Sequence, residues 1–144
     1  MTAIDRAVLA ERTLALERHL ARVAEKLPSG ADGLVASSDA SDAVVLHLWQ
    51  ATQLVIDLAI SACVAHGTGT PQSYADAFRR LHSAGLIEGP LADRLVRAAG
   101  FRNLVAHAYE RLDMTRVHQA AQTGPADLRA FIAAIARAAR GSAR

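Results

Sequence analysis

The chain has 144 residues, about the length of one domain, because domains cluster near ~100–150 residues. Hydrophobic residues account for 51% and charged residues for 21%, close to globular averages, which argues against wholesale disorder and against a membrane-embedded chain. A formal net charge of +2 is too small to indicate nucleic-acid binding unless a local basic patch supplies it.

The first predicted element is a long amphipathic helix over residues 3–27, in which apolar side chains recur at helical spacing and charged ones fill the other side. Pro28-Ser29-Gly30 ends it. Residues 31–42 are rich in serine, aspartate, alanine and glycine, so we predict a flexible connector over residues 28–42. Candidate N-caps for the next helix are Ser37, Ser38, Asp39 and Ser41.

The second predicted helix, residues 43–66, is apolar over most of its circumference, which is typical of the central helix of a bundle. Its polar residues recur at three- and four-residue steps and therefore form one narrow stripe. We expect this stripe to face water. It consists of Gln50, Gln53, Asp57 and Ser61.

Glycines and prolines set the bounds of the next two helices. Gly67 to Gly69 end the second helix, and Thr70-Pro71 predicts an N-cap and first position for a third helix over residues 72–84. Gly85 is the expected C′ residue of that helix. Pro90 predicts the start of a fourth helix, which runs into the stretch Arg102–Tyr109.

The C-terminal part predicts two shorter helices, residues 114–122 and 126–140, separated by Gly124-Pro125 and followed by a tail at residues 141–144. No run alternates as a β-strand does. The predicted fold is therefore an all-α, up-and-down bundle of four main helices plus shorter C-terminal helices, in a single domain over residues 1–144.

The cysteine content and the hydropathy of the chain indicate the cellular compartment in which it is found. Cys63 is the only cysteine, which excludes an intrachain disulfide and is consistent with a reducing cytosol. Cys63 and His66 are spaced like half of a metal site, but no second pair accompanies them, so we expect no metal. The N-terminus lacks a secretory pattern, and the apolar run 54–64 is too short to span a bilayer, which takes ~20 residues. We expect a cytoplasmic protein.

The stretch Arg102–Tyr109 concentrates polar chemistry on the fourth helix. At ~100° per residue, Arg102 and Tyr109 lie along the apolar stripe, whereas Asn103 and His107 lie on its flank. An inward arginine needs a carboxylate, a partner or an anionic ligand. Two interpretations follow: an Arg102–Asp57 ion pair with His107 as a core histidine, or a phosphate-handling site. In either case a bend at Gly100 would change the directions in which the side chains after it leave the helix.

The spacing Arg102-x4-His107-x-Tyr109, with Asn103 directly after the arginine, resembles the motif of HepT-like toxins, a branch of the HEPN superfamily of helical ribonucleases. Residues 53–57 are similar to the central helix of that family, and residues 69–78 with Leu81 and 85–87 are similar to its third helix. The resemblance extends over about residues 46–135.

The resemblance implies a HEPN-type homodimer in which Arg102 and His107 of both subunits line a shared cleft. It implies metal-independent endoribonuclease activity without a cofactor, with tRNA as the class of cellular substrate, in a type VII-like toxin–antitoxin pair. It also implies a partner, a minimal nucleotidyltransferase antitoxin of the MntA type, within a larger hetero-oligomer. That partner would neutralise the toxin by transferring AMP to Tyr109.

The residue types suit this chemistry. In metal-free RNA cleavage the ribose 2′-hydroxyl attacks the adjacent phosphorus; His107 can move the proton, and Arg102 can hold the phosphate oxygens. Asn103 is expected to orient the imidazole or the phosphate, and Asp57 to support Arg102. On an ideal helix Arg102 and His107 are about 140° apart, which favours convergence across a dimer axis. The alternative function is a non-catalytic HEPN module that binds a nucleotide or presents substrate to a nucleotidyltransferase.

Overall fold

The computed structural model describes the backbone of residues 4–142 and the side chains of residues 4–141. Ala3, where the first helix was predicted to start, and residues 143–144 of the predicted tail lie outside this range. Within it the chain is all-α, as predicted. The helices are Arg6–Lys26 (α1), Asp39–Ala65 (α2), Tyr74–Ser83 (α3), Gly89–Ala108 (α4) and Met114–Ser142 (α5), and 3-10 turns cover Ala31–Gly33 and Tyr109–Arg111.

The segment between α1 and α2 is shorter than the predicted connector 28–42, because α2 begins at Asp39. Ser38 caps α2: its hydroxyl accepts the Ser41 N–H, and the Ser41 hydroxyl accepts the Ser38 N–H, both at 3.1 Å. Leu34 is buried, and an imidazole nitrogen of His118 lies 2.8 Å from the Pro28 carbonyl oxygen. These contacts pack the connecting segment onto the bundle.

The central helix of the bundle is α2, which packs against α1, α3, α4 and α5. As a whole α2 is long and apolar enough to cross a membrane by length and composition, although the apolar run 54–64 within it is shorter than a span. More than half of its most apolar window is buried inside the bundle. Its central position therefore accounts for the apolar composition.

The α3–α4 connection follows its capping residues. α3 begins at Tyr74 and not near Gln72, because the Ser73 hydroxyl accepts the Asp76 N–H at 3.0 Å and serves as the N-cap. At its other end Gly85 has φ +78°, and the Leu86 N–H donates to the Leu81 carbonyl at 2.9 Å, which confirms Gly85 as the C′ residue.

The predicted break at Gly124-Pro125 is wrong, since α5 continues through Pro125 and is the longest helix, with 29 residues. A proline inside a helix costs about 3 kcal/mol. Packing outweighs this cost, because Val117 before the proline and Phe131 after it are both fully buried. Phe131 also meets Phe78 of α3 edge to face, with ring centroids 5.8 Å apart.

Candidate active site

The Arg102 guanidinium lies between two aromatic rings supplied by other helices. Its central carbon is 5.2 Å from the centroid of the Trp49 ring on α2 and 5.3 Å from that of the Tyr74 ring on α3. Cation–π attraction at such distances is worth about 0.5–2 kcal/mol, depending on desolvation. Arg102 is half-buried, as predicted from its place along the apolar stripe.

Hydrogen bonds fix the orientation of this guanidinium. Arg102 Nε donates to Gln53 Oε1 at 2.5 Å, and Gln53 Nε2 donates to Asp57 Oδ1 at 2.9 Å. Arg102 Nη1 donates to Asn103 Oδ1 at 3.2 Å. Among the described ion pairs none includes Arg102, so the direct Arg102–Asp57 pair is wrong. Asp57 instead turns the Gln53 amide so that its oxygen faces the arginine.

The arginine retains capacity to bind an anion. Three of its five N–H groups have no hydrogen-bond partner among the described residues, and they include both on Nη2. Neutral amide oxygens, not carboxylates, accept the other two, so the positive charge is not neutralised by direct contact. The neighbouring Trp49 Nε1 is buried without a partner among the described residues, which is costly for a polar group.

His107 and Asn103 are exposed on the last two turns of α4, so the interpretation of His107 as a core histidine is wrong. Leu104, between them in sequence, is also 42% exposed. α4 runs without interruption from Arg102 to His107 and through Gly100, so helical geometry places the two residues about 7.5 Å apart along the axis and ~140° apart around it. In one chain the two side chains leave the helix in different directions.

Tyr109 contacts α2, as Arg102 does through Gln53, although it lies just beyond the end of α4. The backbone leaves helical geometry at Ala108, with φ −143° and ψ 36°, and Tyr109 begins the following 3-10 turn. The Tyr109 hydroxyl donates to Asp42 Oδ1 in the first turn of α2. This hydrogen bond, followed by burial and the charge of Asp42, raises the pKa of Tyr109 to about 12.

α4 runs antiparallel to α2 at this face, since Arg102 meets the middle of α2 and Tyr109 meets its start. The contacted residues, Gln53 and Asp42, are eleven positions apart, or about 16 Å along the helix axis. Three residues that contact Arg102 or Tyr109 were not predicted from the sequence. Trp49 and Tyr74 had a weak signal as rare aromatic residues, whereas Asp42 had none.

Among residues 4–141, no group of three or more His, Cys, Asp and Glu side chains is arranged to hold a metal ion. The Cys63 thiol is buried and lies 3.4 Å from the Ala77 carbonyl oxygen. The candidate site is therefore built from an arginine, amides, aromatic rings and an exposed imidazole.

Comparison with known protein families shows which family the chain belongs to. The family model described as ribonuclease HepT-like matches residues 16–135, which include the whole of α2, α3 and α4 and the motif. The chain belongs to the HepT-like ribonuclease family. The resemblance inferred from the motif is thereby confirmed.

Individual relatives agree with this assignment. The chain is 34% identical over 91 residues to a Shewanella oneidensis protein named mRNA nuclease HepT, covering 63% of this chain and 68% of the relative. A solved toxin–antitoxin complex with AMP-PNP contains a chain that superposes with a TM-score of 0.83 at 26% identity, covering 92% of this chain and 99% of that one.

Two further solved structures match. The rebuilt structure of a tri-AMPylated Shewanella oneidensis HEPN toxin in complex with an MNT antitoxin gives the same TM-score of 0.83 at 26% identity, with coverage of 92% and 99%. The Bacillus subtilis protein YutE gives a TM-score of 0.82 at 15% identity over 99% of this chain and 95% of that one, a likeness of fold alone.

Proposed function

We propose that this HepT-like ribonuclease is the toxin of a type VII-like toxin–antitoxin pair and cleaves cellular RNA in the cytoplasm without a metal ion. The observation that carries the proposal is the Arg102 guanidinium, held by two rings and an amide with three N–H groups left for an anion, five residues before the exposed His107. Family membership supplies the reaction class.

In the proposed reaction the ribose 2′-oxygen attacks the adjacent phosphorus, and the bond from phosphorus to the 5′-oxygen breaks. His107 takes the 2′-hydroxyl proton or delivers a proton to the leaving 5′-oxygen, and water makes the other proton transfer. The free N–H groups of Arg102 donate to the non-bridging oxygens as negative charge grows on them. The products are a 2′,3′-cyclic phosphate and a 5′-hydroxyl.

Three supporting residues act through Arg102. Asn103 accepts from Nη1, Gln53 accepts from Nε, and Asp57 fixes the Gln53 amide. Their role in this proposal is to keep the guanidinium in one orientation before substrate binds, because a preorganised donor does not have to reorient during the reaction.

A homodimer can bring Arg102 and His107 together at one phosphate, which a single copy of α4 does not do. With Arg102 and His107 about 140° apart on α4, a two-fold axis can place the histidine of one subunit beside the arginine of the other. The exposed Asn103 and His107 lie on the part of α4 available for such pairing. The dimer would bind the nucleotidyltransferase antitoxin in a larger hetero-oligomer.

Tyr109 is the proposed site of neutralising AMP transfer by an MntA-like antitoxin. Its side chain is 45% exposed, and its hydroxyl already has a proton acceptor in Asp42. An attached AMP group would bring phosphate charge and bulk two residues from His107 and exclude RNA. A direct pairing of that AMP with Arg102 in the same chain would have to reach across roughly the 16 Å between their contacts on α2.

Growth inhibition tests the toxin proposal. Expression of the chain alone should arrest growth, and co-expression with a nucleotidyltransferase encoded beside it should relieve the arrest and add AMP mass to the toxin. The Tyr109→Phe chain should remain toxic and unmodified in the presence of the antitoxin. Full neutralisation of that variant with added AMP mass would contradict Tyr109 as the target.

The RNA class is tested in the same cells. The family resemblance implies tRNA, whereas the Shewanella oneidensis relative is named an mRNA nuclease. Sequencing of RNA 2′,3′-cyclic phosphate ends after toxin induction, with the His107→Ala chain as control, distinguishes the two. We propose tRNA, and new ends confined to mRNA would contradict that substrate.

A further inference from the structure

A groove lies between α4 and α5 above the middle of α2, separate from the Arg102 and His107 side chains. Its cavity volume is about 530 Å³, within the ~300–1,000 Å³ typical of small-molecule sites. Leu48 and Phe101 contribute apolar surface, and Gly124 keeps one wall free of a side chain. A nucleotide is of suitable size for such a groove.

The groove carries an excess of positive charge over negative charge. Three arginines line it with a single carboxylate, Asp127, and Arg94 Nε pairs with that carboxylate at 2.8 Å. Arg97 and Arg116 are exposed, and neither takes part in an ion pair among residues 4–141. Two guanidinium groups beside an apolar surface are complementary to a phosphate attached to a base.

A ridge on α4 connects the groove to His107. His107, Leu104 and Phe101 follow one another at three-residue steps, each turned by about 60° and displaced by about 4.5 Å. Leu104 between them is 42% exposed, so the surface between the histidine and the groove is open. A strand that reaches His107 can continue over Leu104 to Phe101.

We propose that this groove binds a nucleotide of the RNA substrate on one side of the scissile phosphate. A phosphate lies between Arg97 and Arg116, and its base packs on the half-buried Phe101 ring. The proposal rests on RNA being the substrate. It gives the basic groove a role in positioning the strand that Arg102 and His107 alone do not supply.

RNA binding by a non-cleaving chain tests this proposal. In a His107→Ala background, Arg97→Gln with Arg116→Gln should weaken binding of a labelled single-stranded oligoribonucleotide about tenfold, measured by fluorescence anisotropy. The slope of log K against log salt should fall by about 0.7, because the two arginines together hold one phosphate. The matched control is Arg12→Gln with Arg137→Gln, because these exposed arginines also lack described ion pairs but do not line the groove.

The control pair should change affinity by less than twofold, since its charges lie outside the groove. Equal weakening by the two pairs would overturn the proposal in favour of nonspecific attraction. Competition by oligo-glutamate as effective as that by an oligoribonucleotide of equal charge would overturn it in favour of an acidic peptide. Competition by free AMP as effective as that by the oligoribonucleotide would overturn it in favour of a mononucleotide site.

Two results separate this proposal from the proposed function. If the wild-type chain cleaves RNA but the Arg97 and Arg116 variant binds it with unchanged affinity and salt slope, the groove proposal alone fails. If the groove variant loses affinity as expected but the wild-type chain cleaves no RNA, the groove is an RNA-binding site, and its place beside a scissile phosphate fails together with the ribonuclease mechanism.

Discussion

Arg102 and His107 lie on one helix but in different surroundings, and this difference separates their structural and chemical roles. Arg102 contacts Trp49, Tyr74 and Gln53, whereas His107 is exposed and makes no described side-chain hydrogen bond. Removal of Arg102 should therefore disturb packing, whereas removal of His107 should leave packing unchanged.

Arg102→Ala should lower the free energy of unfolding by about 1–2 kcal/mol, through lost stacking and the lost Gln53 hydrogen bond, whereas His107→Ala should change it by less than about 0.5 kcal/mol. Urea denaturation measures both. Arg102→Lys keeps the charge but loses the planar donors, so it should remain folded with cleavage reduced by about 10²-fold or more. Full activity of the lysine variant would contradict a role for the guanidinium geometry.

Tyr109 should ionise far above an ordinary tyrosine. Its pKa is raised to about 12 in the folded chain, so the Asp42 contact stabilises the fold fully below pH ~10 and is lost as the pH rises towards 12. The tyrosinate absorbance lost on Tyr109→Phe should titrate near pH 12, and Asp42→Asn should move it towards 10. An unchanged titration in the Asp42→Asn chain would show that the contact is absent.

Some of these residue-scale features were predictable and others were not. Helical phase alone predicted that Arg102 points inwards and that His107 lies on the flank. The end of α4 at Ala108 was not predictable, because no glycine or proline signals it. The Asp42 contact joins residues 67 positions apart, and no local pattern contains that information.

At the scale of elements, two glycines with open space around them have opposite backbone conformations. A Cβ at either Gly100 or Gly85 would meet nothing within 4 Å, but Gly85 has φ +78° whereas Gly100 lies inside α4. The steric surroundings of the two sites are therefore matched. Their difference isolates the effect of backbone conformation.

Gly100→Ala should stabilise the chain by about 0.5–1 kcal/mol, because alanine restricts the unfolded chain and favours helix. Gly85→Ala should destabilise it by about 1–2 kcal/mol, because an L-residue is strained in the left-handed region. Thermal or urea unfolding of the two variants checks both signs. Destabilisation by Gly100→Ala would indicate that α4 needs a flexible point there.

Helix boundaries followed local signals only where packing agreed with them. Gly85 and Pro90 marked the end of α3 and the start of α4 correctly. Pro125 did not end α5, because buried side chains on both sides of it, Val117 and Phe131 among them, hold one continuous helix against the bundle. The local cost of a proline was readable from the sequence, but the compensating packing was not.

At the scale of the molecule, the proposed site needs two chains. If Arg102 of one subunit acts with His107 of the other, mixing inactive Arg102→Ala and His107→Ala chains should restore about a quarter of wild-type cleavage. Half of the dimers would be mixed, and each mixed dimer would contain one intact site. Each variant mixed with itself is the control.

Absence of any restored cleavage in a mixture shown to exchange subunits would contradict the shared site. It would place Arg102 and His107 in one chain, where their ~140° separation on α4 would have to be overcome by side-chain reach. Native mass spectrometry of chains with different tags verifies the exchange.

The most direct test of metal-independent cleavage through His107 is incubation of total RNA with the purified wild-type and His107→Ala chains in the presence of EDTA. The wild-type chain should produce fragments ending in a 2′,3′-cyclic phosphate. The folded His107→Ala chain should cleave at least about 10²-fold more slowly, since it lacks the group that moves the proton. Undiminished cleavage by the His107→Ala chain, or a wild-type activity abolished by EDTA, would contradict metal-independent cleavage through His107.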